Sequence, residues 1–170
     1  MKKLLLILLL IPSSMFAQSE ELMSSVNYYF SILLNNERDS INEANSKNPN
    51  FTPLSRVIVE TDKSKFVNPD KHISKTIYDI ITTRTYTPHS TTNKENFLAV
   101  NYPFDITSEY QDPKKVANEF FMVWKNSPKH YDFMVNGGTW SDNPYQTFVV
   151  RYKMVYDKEF ILSATFTVFQ

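Results

Sequence analysis

The 170-residue chain carries 18 basic and 18 acidic side chains, so its formal charge is zero, and the two signs are interspersed. That balance argues against nucleic acid or an anionic membrane surface as a partner, since both are met by a concentrated basic face. Two adjacent glycines, Gly137-Gly138, cannot build a glycine-rich phosphate loop, and the absence of cysteine removes disulfides and N-terminal lipidation.

In chain order, Lys2 and Lys3, the apolar run Leu4 to Ile11 and the small-residue exit Pro12-Ser-Ser-Met-Phe-Ala17 have the layout of a secretory signal peptide, residues 1–17, cleaved after Ala17. The run is far shorter than the roughly 20 residues that a membrane-spanning helix needs. The expected product is one exported domain, residues 18–170, in the periplasm or the medium, slightly acidic once the two lysines are removed. Its aromatic content of 15% supplies core material for a single domain.

From Glu20 to about Asn42, Leu22, Val26, Tyr29, Phe30, Leu33 and Leu34 recur at helical spacing, with Ser19 as a cap and Glu20 and Glu21 at the positive end of the dipole. Thr52-Pro53 reads as a second helix start, although Val57-Ile58-Val59 leaves a strand open. After the break at Asn68-Pro69-Asp70, Ile73, Ile77, Ile80 and Ile81 favour another helix. Phe97-Leu-Ala-Val100 suits a buried strand, and residues 101–111 a loop. Asp112-Pro113 opens a helix with Val116, Phe120, Val123 and Trp124 on one stripe, ending near Ser127-Pro128. Phe148 to Tyr156 and Phe160 to Val168 alternate about Asp157-Lys-Glu159, which predicts an antiparallel hairpin. Helices first and a hairpin last imply an α+β fold with helices packed on an antiparallel sheet.

Two polar segments stand out. One, residues 87–97 (TPHSTTNKENF), holds His89 and Glu95. The other, residues 124–135 (WKNSPKHYDFMV), places His130 in the first turn after the helix-start pair Ser127-Pro128, beside unsatisfied backbone N–H groups that favour a neutral imidazole. Tyr131 follows and offers a hydroxyl. Ser127 and His130 are three residues apart, but no G-x-S-x-G elbow surrounds the serine, and a capping role suits it better.

The Trp-x-x-Ser-Pro-x-His segment resembles the bacterial branch of the CAP superfamily, the SCP-like domains of cysteine-rich secretory, antigen 5 and pathogenesis-related proteins. Leu-Leu-Asn-Asn-Glu-Arg, residues 33–38, is similar to that family's first-helix pattern, and His89 with Glu95-Asn96-Phe97 to its His…Glu-Asn segment. The resemblance spans residues 22–169 and implies an α-β-α sandwich with a central antiparallel sheet and an open cleft lined by His89, Glu95, His130 and Tyr131. It departs from the family at Ser127, which stands where a second acid is usual, and at Lys94, which stands for a glycine. In some members the two histidines bind zinc or a similar divalent ion. Here His89 and His130 with Glu95, either as third ligand or orienting a histidine, could form such a set, since a catalytic zinc has three protein ligands. The alternative is that all three hold loops by hydrogen bonds. The function implied is a non-enzymatic module binding a small ligand, a metal, or an extracellular or cell-envelope partner, with a metal-dependent hydrolase of an extracellular polymer as the alternative and a lipid- or sterol-binding role as a third. His72, Glu119 and Trp124 read as surface, solvated and core residues in turn.

Overall fold

The computed structural model describes residues 19–83, 91–92, 95–102, 112–136, 144–157 and 159–169. Residues 1–17, expected to be a signal peptide, and His89 lie outside them.

Helix α1 (Glu20–Ala44) begins where the Ser19 hydroxyl accepts the Leu22 N–H at 3.0 Å. Val26, Phe30 and Leu34 recur every fourth residue and are fully buried. The segment after α1 is extended where the sequence suggested a helix from Thr52-Pro53, and the reason lies on α1. The Asn42 carboxamide exchanges two hydrogen bonds with the Leu54 backbone (2.7 and 2.9 Å), Arg38 donates to the Ser55 carbonyl (2.8 Å), and the Asn35 carboxamide exchanges two with Val57 (both 2.9 Å). Backbone groups that a helix would pair internally are satisfied from one face of α1 instead. The chain then enters the short strand β1 (Ile58–Val59).

A 3-10 turn, Lys63–Phe66, capped by Asp62, runs into α2 (Val67–Thr83). Asn68-Pro69-Asp70, read as a break, sits in the first turn of α2, where proline removes no helical hydrogen bond. Strands β2 (Thr91–Thr92) and β3 (Glu95–Tyr102) follow, then α3 (Pro113–Lys125), α4 (Pro128–Val135), β4 (Thr147–Asp157) and β5 (Glu159–Phe169). The expected hairpin is present with Asp157 opposite Glu159.

The five strands are ordered β1-β4-β5-β3-β2, antiparallel except for the parallel edge pair β1-β4. Alternation along the hairpin sorts its side chains between two faces. Phe148, Val150, Tyr152, Met154, Leu162, Ala164, Phe166 and Val168 form the main core with α1, α3 and α4. The Phe166 ring is its centre, with Phe148, Phe30, Phe133, Trp124 and Tyr145 centroids 5.3 to 6.0 Å away. On the opposite face Ile161 packs with Ile73, Ile77 and Ile80 of α2. Helices therefore cover both sides of the sheet in an α-β-α sandwich, the predicted fold class. Among the described residues no helix is long and apolar enough to cross a membrane.

Candidate functional site

The two polar segments singled out in the sequence lead to different layers. Glu95, at the start of β3, pairs with Thr167 of β5, whose hydroxyl lies 3.4 Å from Glu95 Oε1. Glu95 Oε2 is 2.7 Å from His72 Nδ1 on α2. His72, expected at the surface, is thus the described partner of Glu95. His130 lies in α4, which joins the main core through Phe133 and Met134 on the other side of the sheet. The sheet therefore separates Glu95 from His130, and these two residues do not line one cleft. His130 is also enclosed, at 4% exposure, not presented at an element end. Only Asn126 and Ser127 separate α3 from α4, so α4 folds back and its first turn is trapped at the junction. Among the described residues no group of three or more His, Cys, Asp or Glu side chains is placed to hold a metal ion.

Ser127 stands at the α4 N-cap, yet its hydroxyl makes no capping bond and lies 2.8 Å from His130 Nδ1. The pair has the reach of a nucleophile and a base, but the buried imidazole ties the hydroxyl to the helix junction. Tyr131 donates its hydroxyl to Glu37 Oε1 of α1 at 2.6 Å, and Lys125 of α3 reaches Glu37 Oε2 at 2.5 Å. Burial opposes ionisation of Glu37, but these two bonds outweigh it and hold the carboxyl below its ordinary value. Burial, with Glu37 beside it, raises the Tyr131 phenol well above its ordinary value. This cluster joins three helices and leaves Tyr131 already engaged.

Among the described residues, two cavities stand out. One, of about 380 Å³, lies between the start of α1, the end of β1 and β4, and Arg151, Glu20, Glu60 and Lys63 are among the residues that line it. Its charges answer one another. Arg151, 7% exposed, donates to both Asp70 oxygens at 2.8 and 3.0 Å and to Glu20 Oε1 at 3.1 Å. Burial works against the Arg151 charge, but Asp70 and Glu20 prevail and raise its pKa. Glu60 accepts from Lys65 at 2.6 Å, from the Thr61 and Asp62 N–H groups at 3.0 Å, and from Thr147 at 3.0 Å. Led by the Lys65 bond, these contacts lower its carboxyl to about 2.

The other cavity, of about 710 Å³, is framed by α1, residues 48–55, the end of α4 and Pro144-Tyr145. Ile41, Phe51, Leu54 and Val135 give it apolar walls, while Asn48, Thr52 and Ser55 add neutral polar groups. Arg38 is the only ionisable cation among the described lining residues, and no acid is among them. It is 2% exposed. Its Nη1 donates to the Ser55 carbonyl at 2.8 Å and its Nη2 to the Met134 carbonyl at 3.1 Å, while Nε is buried without a hydrogen-bond partner. The guanidinium carbon stands 4.6 Å from the centre of the Tyr145 ring. Burial raises the Tyr145 phenol to about 12, although Arg38 pulls the other way. The backbone carbonyls and the ring face partly stabilise the cation, but no carboxylate is among the described residues that contact it or line the cavity.

In the sequence Arg38 stands out only as the last residue of the Leu-Leu-Asn-Asn-Glu-Arg pattern. The signal that could have found it is its phase: Val26, Phe30, Leu34 and Arg38 are spaced by four, so the arginine continues the buried stripe. Comparison of the chain with protein-family models, curated proteins and solved structures finds no match.

Proposed function

We propose that this chain is an exported binding domain whose ligand is a small molecule held in the 710 Å³ cavity between α1, α4 and residues 48–55. The observation that carries the reading is a cavity of ligand size whose wall is fixed before any ligand arrives. Asn42, Arg38 and Asn35 clamp residues 54, 55 and 57 onto a helix, so the wall is a braced extended segment. A preorganised wall reduces the ordering cost of binding. Export rests on the layout of residues 1–17, and kinship with the CAP superfamily on the sequence motifs at residues 33–38, 89–97 and 124–130 that resemble it. A shared His/Glu cleft draws no support from Glu95 and His130.

Ligand-observed NMR against a panel of small metabolites tests the reading. The expected hits compete with one another and disappear in Leu54→Trp, which fills the cavity from a position whose backbone Asn42 still clamps. Hits that persist in the variant, or an empty panel, overturn it.

A further inference from the structure

We infer that the cavity ligand is a monocarboxylate with an apolar body, its carboxylate bound to the Arg38 guanidinium; this rests on the cavity being a ligand site. Arg38 presents five N–H donors, of which two are matched by the Ser55 and Met134 carbonyls, and its Nε is buried without a hydrogen-bond partner. Those partners are dipoles. They accept hydrogen bonds but carry no full negative charge, so among the described residues the cation is desolvated without a carboxylate to neutralise it. A carboxylate supplies what is missing, because its two oxygens match the fork of a guanidinium.

The rest of the lining narrows the class. No second lysine or arginine is among the lining residues described, so the cavity offers one positive charge where a phosphate dianion calls for more. Asn48, Thr52 and Ser55 can serve a second polar group, while Ile41, Phe51, Leu54 and Val135 suit a hydrocarbon or aromatic body. No acid is among the described lining residues, so an anion meets no like charge from them.

The test is isothermal titration of the full mature chain with octanoate and phenylacetate, beside their neutral isosteres octanol and phenylethanol and beside inorganic phosphate. Carboxylates are expected to bind saturably and about 10- to 100-fold more tightly than the alcohols, the range set by a charge-assisted pair against a neutral one. Arg38→Met should erase that preference, and Arg38→Lys should retain part of it by keeping the charge without the fork. Leu54→Trp, which leaves Arg38 in place, should weaken every organic ligand alike and guards against misreading a poorly folded Arg38 variant. If alcohols bind as tightly as carboxylates, the inference falls while the cavity remains a ligand site. If phosphate binds best, the monocarboxylate class is wrong. If none of the organic probes binds at ~10 mM, weaker than the millimolar range of a marginal site, the inference is overturned. Binding that survives Leu54→Trp removes the cavity reading itself.

Discussion

Arg151 and Arg38 are both withdrawn from water, and the protein surrounds them in opposite ways. Arg151 meets two carboxylates, Asp70 in a two-bond fork and Glu20 beside it, and lies 5.1 Å from the Phe66 ring centre. Its acids come from α1 and α2, so the ion cluster ties strand β4 to helices at distant points in the chain. Arg38 meets two carbonyl oxygens and a tyrosine ring, at the edge of a larger cavity. The same side chain therefore serves as a closed structural joint in one place and as an unfinished one in the other. Burial does not distinguish them. The sign and number of the surrounding charges do.

The largest expected effect is at the closed joint. Arg151→Met should destabilise the fold by about 2 kcal/mol, because its charge-assisted hydrogen bonds are lost, although Asp70 and Glu20 are half exposed and keep water when left without it. Urea denaturation at neutral pH reads this as a fall in midpoint; a loss below about 1 kcal/mol would mean that the cluster behaves like a surface ion pair.

Glu60 sharpens the contrast by pH. Its folded carboxyl titrates near 2, below an ordinary value of 4.5, with Lys65, Asp62 and Thr147 stabilising the anion. A depressed carboxyl contributes stability that is complete above about pH 4.5 and is lost as pH falls toward 2. Glu60→Gln should cost about 1–2 kcal/mol at pH 7. The gap between variant and native chain should then close across that acid window. A gap independent of pH would assign the effect to packing instead.

The sandwich was legible because its signals are periodic and local. Phe148 to Tyr156 alternate, α1 and α3 carry apolar stripes, and Ser127-Pro128 marks a helix start whether or not its hydroxyl caps. Residues 52–57 depart from the helix that Thr52-Pro53 signals, and lead into the strand that Val57-Ile58-Val59 leaves open, because their conformation is imposed from outside. Thr52-Pro53 is a sound local helix signal, but Asn35, Arg38 and Asn42, which override it, make their bonds across 12 to 22 residues of chain. The site was less legible for a related reason. Histidine and glutamate spacing cannot say which face of a sheet each residue occupies, so Glu95 was grouped with His130 when the fold gives it to His72. Arg38 raises no alarm as a type, since arginines on helices are ordinarily exposed. Only its place on the stripe of Phe30 and Leu34 marks it.

The smallest expected effect is the one that decides between the two arginines. In the ligand-free chain, Arg38→Met should cost about 1 kcal/mol or less, well under Arg151→Met. The variant loses two hydrogen bonds, but the Met134 carbonyl keeps the Tyr145 hydroxyl as donor, and Asn35 and Asn42 still brace the segment that carries Ser55. Removing a desolvated cation that no described carboxylate neutralises offsets part of the loss. The order should diverge further when a carboxylate is added. At ten times its Kd, a ligand that binds only the folded state adds about 1.4 kcal/mol. The native chain should gain that increment, Arg151→Met should gain it too, and Arg38→Met should not. If Arg38→Met proves as damaging as Arg151→Met, and no ligand separates them, then carbonyl dipoles alone suffice to hold a buried guanidinium here, and both arginines are joints.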